Sequence, residues 1–178
     1  MVRVYLGLGS NIDRERHILA ALDALSAQFG QLLLSSVFES QAVGFEGDPF
    51  YNLVVGIDTD WPVSRLSGYL KALEDRHGRR RDGPRYSGRT LDIDILTYGQ
   101  QSGIVDGVTL PRGEILHNAF VLWPLAELAP DELHPLVGQR YGDLWRAYDR
   151  RRQALWPVSF NWRGKELTRF ATNPAEEA

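Results

Sequence analysis

Arg89-Thr90-Leu91-Asp92-Ile93-Asp94-Ile95-Leu96 alternates apolar and acidic residues. Strand side chains alternate faces with a period of two. The pattern therefore predicts a β-strand over residues 90–98, with Leu91, Ile93 and Ile95 on one face and Asp92 and Asp94 on the other. Such a strand belongs in a sheet with an apolar side and a side that gathers polar groups.

Working outward, residues 79–88 are rich in Gly, Pro and Arg and predict a mobile loop. Before it, Val63, Leu66, Leu70 and Leu73 form an apolar stripe that Pro62 opens and Gly78 ends, which predicts a helix. Residues 51–58 predict a strand, 40–50 a second mobile loop with Gly44, Gly47 and Pro49, and 32–39 another strand. Ile18, Leu22, Leu25 and Phe29 mark a helix that ends at Gly30. Residues 2–8 predict a buried first strand, with Gly7 and Gly9 breaking it and Ser10 or Asn11 capping the helix. The order strand-helix-strand-strand-helix-strand is that of an α+β, ferredoxin-like βαββαβ core. It predicts a mainly antiparallel sheet covered by helices, a three-layer αβα arrangement. Further along, residues 108–110 predict a short strand, and 120–128 and 141–152 predict helices. Residues 1–152 read as one domain and 153–178 as a C-terminal extension. Trp156, Phe160 and Trp162 predict partial packing of that extension, and residues 173–178 predict fraying.

The 178 residues are 43% apolar and 24% charged, enough for one ordinary core. The net charge of -3 gives no global affinity for nucleic acid or an anionic membrane. Cysteine is absent, which excludes disulfides, thiolate metal sites and cysteine nucleophiles. No signal-like segment and no membrane-length apolar run is found, so a soluble cytoplasmic protein is expected.

Two carboxylates about 7 Å apart on one strand face repel unless a cation joins them, and hard divalent ions with oxygen ligands suit that position. The alternative is a solvated sheet face. Arg76, Arg79, Arg80, Arg81, Arg85 and Arg89 lie in the preceding fourteen residues, against a single acid, Asp82. Guanidinium groups grip phosphate oxygens in a planar fork. A mobile basic loop beside a carboxylate pair is suited to polyphosphate transfer. A solvated charge run or a nucleic-acid patch is the competing reading, but Tyr86 is the loop's only aromatic. Glu74 either anchors an arginine of the loop or is a solvated helix residue. The Gly7-Leu8-Gly9 start of a dinucleotide fingerprint lacks its third glycine, and no Walker A or protein-kinase motif is present. His17, His77, His117 and His134 have no zinc-site spacing. Trp123-Pro124-Leu125 reads as core, and Phe120 could line a pocket for a planar heterocycle.

Three segments together, Gly7-Leu8-Gly9-Ser10-Asn11, Gly78-Arg79-Arg80-Arg81 leading to Arg89-Thr90-Leu91-Asp92-Ile93-Asp94, and Ala119-Phe120-Val121-Leu122-Trp123-Pro124-Leu125, resemble the 6-hydroxymethyl-7,8-dihydropterin pyrophosphokinase family of folate biosynthesis. Asp48-Pro49-Phe50-Tyr51-Asn52-Leu53 lies between the first two, and the resemblance spans roughly residues 2–145. It implies transfer of pyrophosphate from ATP to the pterin hydroxymethyl group, leaving AMP, with two Mg²⁺ ions held at Asp92 and Asp94. It implies catalytic roles for Arg79, Arg81, Arg89, Asp92 and Asp94. Pterin contacts are implied at Ser40, Val43, Phe50, Asn52 and Phe120, and ATP contacts at Arg79, Arg81, Arg89, Ile95, Thr109 and Arg112. The expected partners are a pterin and ATP, with no nucleic acid and no membrane, in a monomer or weak homodimer. The chain departs from the family pattern at Arg112, where a histidine is usual, and at Asn118, where an arginine is usual. Tyr86 replaces a common tryptophan. A divergent paralogue with altered activity is the alternative that these departures raise.

Overall fold

The computed structural model describes residues 1–41, 47–78 and 90–170. The core begins with β1 (Val2–Ser10), α1 (Arg14–Phe29), β2 (Leu33–Leu34), β3 (Val37–Ser40), β4 (Phe50–Thr59), α2 (Val63–Arg76) and β5 (Asp92–Tyr98). The main sheet runs β5-β1-β4-β3, with β2 also on β4 and every pairing antiparallel. This is the expected βαββαβ connectivity, its second strand split in two.

Alternation along the strands divides the interior. Val4, Leu6 and Leu8 of β1 and Ile93 and Ile95 of β5 pack with Ile18, Leu22 and Leu25 of α1 and Leu66, Leu70 and Leu73 of α2. Tyr5, Val54 and Leu96 turn the other way. They meet α3 (Ala119–Leu128) and α4 (Tyr141–Ala147). The layers are αβα, and each fully buried aliphatic side chain contributes roughly 1.5–3 kcal/mol. Among the described residues no helix is long and apolar enough to cross a membrane.

Several sequence expectations are corrected. Gly7 and Gly9 do not break β1: the strand continues to Ser10, because β4 and β5 pair with it on both sides as far as Gly9. Neither Ser10 nor Asn11 caps α1. Ser10 is strand, Asn11 turns its Nδ2 to the Asp48 carbonyl at 3.0 Å, and Asp13 in a left-handed conformation precedes the helix. The expected single strand over 32–39 is interrupted at Ser35 and Ser36. There Ser35 Oγ accepts from Val54 N–H at 2.9 Å, and the Ser36 N–H donates to Glu127 Oε1 at 2.6 Å. The helix expected over 141–152 ends at Ala147, since Tyr148 is extended and its hydroxyl donates to the His117 carbonyl at 2.8 Å. Between core and helices, β6 (Gly103–Val105) pairs with β7 (Val108–Leu110). Asp106 and Gly107, both at positive φ, make the two-residue turn that an Asp-Gly pair favours.

The tail contributes to the sheet. β8 (Leu155–Val158) pairs antiparallel with β3 and forms the far edge. β9 (Asn161–Trp162) and β10 (Lys165–Glu166) make a small hairpin. Phe160 is buried, Trp162 is half-buried and donates to Asp23 at 2.9 Å, and Trp156 stays 39% exposed. Thr168 Oγ1 accepts from Val37 N–H at 3.1 Å, and Arg169 N–H donates to Ser36 Oγ at 2.8 Å.

Candidate active site

Asp94 lies opposite Gly7 and Asp92 opposite Gly9 in the β1–β5 register, while Asn52 lies opposite Gly9 on the other side. Neighbouring strands are about 4.8 Å apart. Asp92 and Asn52 therefore flank a strip roughly 10 Å wide whose central residue has no side chain. A Cβ on Gly9 would come within 3.0 Å of Asn52 Oδ1 and 3.8 Å of the Phe50 ring, so only glycine leaves this floor open.

Asn52 and Ser40 form the polar border of the strip. Both are buried, and Asn52 Nδ2 donates to Ser40 Oγ at 2.9 Å. Phe50, which pairs with Ser40 across β3–β4, is half-buried. Phe120 sits in the first turn of α3, half-buried against the cluster that contains Val54 and Leu96.

The acid pair is held by its neighbours in the fold. Ile93 N–H donates to Glu74 Oε2 at 2.8 Å, so Glu74 fixes the edge strand between the two aspartates. Only 4% of Glu74 is exposed, which overturns its reading as a solvated helix residue. A bulge in the β1–β5 register at Tyr5 and Leu6 ends the regular alternation just beyond Asp94. Burial, and after it the Asp92 carboxylate, push Asp94 up from 3.8 to about 7.

Arg112 partly offsets that charge. Its backbone N–H donates to the Leu96 carbonyl at 2.8 Å, which places its guanidinium 3.6 Å from Asp94 and 2.9 Å from Glu114. Among the described residues its Nε is buried with no partner. Asn118 does not point to this cluster: its Oδ1 accepts from Gln153 Nε2 at 2.9 Å.

The fold thus brings together Ser40, Phe50, Asn52, Asp92, Asp94 and Arg112, with Phe120 on the helix above. It does not bring Ile95, whose side chain is packed on the far face among the α1 and α2 residues, so only its backbone could meet a ligand there. Thr109 is exposed on β7. Val43, Arg79, Arg81 and Arg89, with most of the two predicted loops, lie outside the described residues. A cavity of about 750 Å³ beside the start of α1 has none of the predicted residues in its lining. Sequence reading missed the part played by Gly7 and Gly9, although glycines two apart in a strand are the signal for a side chain left out on one face. It also missed Gln153, for which no local signal exists.

The fold and this face define a class: an α+β protein whose antiparallel sheet sets two carboxylates, an amide and an arginine around a glycine floor. The residues 5–130 match the family model described as 7,8-dihydro-6-hydroxymethylpterin-pyrophosphokinase. The chain is 40% identical over 133 residues to a 2-amino-4-hydroxy-6-hydroxymethyldihydropteridine pyrophosphokinase of Pseudomonas aeruginosa, covering 72% of this chain and 82% of that one. It is 36% identical over 141 residues to the protein of the same name from Porphyromonas gingivalis, covering 76% and 95%. In fold it is similar to Plasmodium falciparum HPPK-DHPS crystallised with pterin and p-hydroxybenzoate, at a TM-score of 0.63 and 16% identity over 84% of this chain. It spans 43% of the length of that longer chain. The chain belongs to the pterin pyrophosphokinase family, and it is an ATP-dependent pyrophosphokinase of folate biosynthesis.

Proposed function

We propose that the glycine-floored face is where the chain transfers pyrophosphate from ATP to 6-hydroxymethyl-7,8-dihydropterin. In that reaction the hydroxymethyl oxygen forms a bond to the β-phosphorus of ATP, and the bond from that phosphorus to the α–β bridging oxygen breaks. AMP leaves, the hydroxyl proton is released, and the product is the pterin diphosphate. The observation that carries this placement is Asp92 and Asp94 on one face, with Asn52 across Gly9.

Each residue has a role in this reading. Asn52 and Ser40 hydrogen-bond the edge of the pterin, with Asp92 at the other border and Val43 contributing from the β3–β4 loop. Phe50 and Phe120 pack on its faces, since aromatic rings suit a planar heterocycle. Arg79, Arg81 and Arg89 grip the ATP phosphates, which align with the hydroxymethyl oxygen. Arg112 adds positive charge at the same end, where Asn118 is engaged by Gln153. Ile95 through its backbone and Thr109 complete the nucleotide contacts.

The residues fit magnesium. Asp92 and Asp94 offer hard oxygen donors, and burial beside like charge leaves Asp94 reluctant to ionise without a cation. Among the described residues no cluster of three or more His, Asp or Glu donors forms. That suits an ion bound through one or two carboxylates plus substrate phosphates. Two Mg²⁺ ions held there would neutralise charge on the transferring phosphates. Positioning and electrostatics then supply most of the rate, and a cytoplasmic location gives access to ATP.

Incubation with ATP, Mg²⁺ and the hydroxymethyl pterin should release AMP. Asp94→Ala should lower that rate by about a thousandfold or more while leaving the circular dichroism spectrum unchanged. Release of ADP, or an Asp94→Ala variant with wild-type turnover, refutes the assignment.

A further inference from the structure

The segment after α4 lies beyond the residues that match the family model, yet it contacts both the start of α3 and the end of β3. Gln153 Oε1 accepts the Ala119 N–H at 2.7 Å, and Gln153 Nε2 donates to Asn118 Oδ1 at 2.9 Å. Ala119 is the first residue of α3, and the helix has no side-chain cap from Asn118. One of the orphan N–H groups of a helix start is therefore satisfied by a residue 34 positions away. Tyr148, five residues earlier, donates its hydroxyl to the His117 carbonyl at 2.8 Å and secures the same turn from outside.

Two residues after Gln153, Leu155 pairs with Ser40 in the β3–β8 register and packs on the α3–α4 cluster. Two residues of chain span at most about 7 Å. A short stretch of backbone thus links the start of α3, which carries Phe120, to the end of β3, which carries Ser40. The body of α3 already packs on β3, with the Trp123 and Phe38 ring centroids 4.5 Å apart. This strut adds a tie at its first turn, where Phe120 stands.

We infer that Gln153 is a positioning residue for the pterin, fixing the start of α3, and with it Phe120, at a set distance from the Ser40–Asn52 border. The inference rests on the pterin lying between Phe120 and Asn52, as proposed above. Gln153 does not touch the substrate; it acts through Asn118 and Ala119.

Steady-state kinetics of the full chain with each substrate varied in turn test it. Gln153→Leu removes both hydrogen bonds and should raise KM for the pterin about five- to tenfold, with KM for ATP within twofold. Gln153→Glu keeps an acceptor for the Ala119 N–H and, once the Asn118 amide turns to donate its Nδ2, should restore pterin KM to within about twofold of wild type. A merely structural role would instead lower the active fraction, and so the apparent kcat, with both KM values unchanged. Phe120→Ala should raise pterin KM by itself, and the Phe120→Ala, Gln153→Leu double variant should be no worse than Phe120→Ala alone, because the two act as one unit. If Phe120→Ala raises pterin KM and Gln153→Leu does not, the positioning inference falls and the site stands. If Phe120→Ala leaves pterin KM unchanged, the site reading falls and takes the inference with it.

Discussion

The two faces of one sheet do opposite work. On the α1–α2 side, Val4, Leu6, Leu8, Ile93 and Ile95 close into a continuous apolar layer. On the other side, the residues between them are Gly7, Gly9, Asp92 and Asp94, with Asn52 from the next strand. Strands β1 and β5 supply both sets, and β4 adds Asn52 to the second. A period of two lets one face accept poorly solvated charge and empty space because the other face is close-packed. Substitutions on the first face should cost stability, and those on the second should cost activity and even gain stability.

The largest expected effect is on the open face. Gly9→Ala places a Cβ 3.0 Å from Asn52 Oδ1, close enough to displace Asn52 from Ser40. We expect kcat/KM to fall about a hundredfold while the melting temperature changes little. An unchanged kcat/KM would show that the floor is not where the pterin lies.

Next is the closed face. Leu66 is fully buried in α2, and Leu66→Ala should lose about 2–5 kcal/mol by chemical denaturation. Both KM values should stay at their wild-type levels under conditions where the variant is folded. A rise in KM at this position would erase the distinction between the faces.

A smaller effect has the opposite sign. The folded state holds Asp94's proton up to about pH 7, whereas the ordinary carboxylate releases it near 3.8. Its contribution to stability is present below pH 3.8 and is lost as pH rises through 7. Asp94→Asn should therefore raise the melting temperature of the metal-free protein by about 2–4 °C at pH 8 and add nothing near pH 3. Mg²⁺ should stabilise the wild type more than the variant. Calorimetry in chelator and in magnesium reads both differences.

The smallest effect belongs to a histidine pair between the two helices of the closed face. His17 Nδ1 and His77 Nδ1 are 2.7 Å apart, so one donates and one accepts. Burial lowers both from 6.5, helped at His17 by Arg16 and at His77 by His17, Arg76 and Arg16, with Asp13 opposing at His17. A lowered histidine keeps its stabilising effect above pH 6.5 and loses it as pH falls through the folded value. Between pH 7 and 5 the wild-type melting temperature should fall more steeply than that of His77→Asn, by about 1–2 °C. Parallel curves would show that the pair does not titrate with folding.

Much of this is visible in the chain itself. The apolar periods of α1 and α2, the alternation of β5 and the element order were enough for the antiparallel α+β core, because local periodicity reflects which face of an element is buried. The acid pair was legible for the same reason, since side chains two apart in a strand share a face whatever the sheet does next, whereas Asn52 was legible only through the family resemblance. Tertiary structure alone decided four things. Gly7 and Gly9 form a floor because strands on both sides keep β1 extended through them. Arg112 reaches Asp94 because its backbone is tied to Leu96. Gln153 caps a helix 34 residues earlier, and β8 extends the sheet at β3. Such contacts join segments far apart along the chain, and local propensity carries no record of which partners the folded sheet will bring within hydrogen-bonding distance.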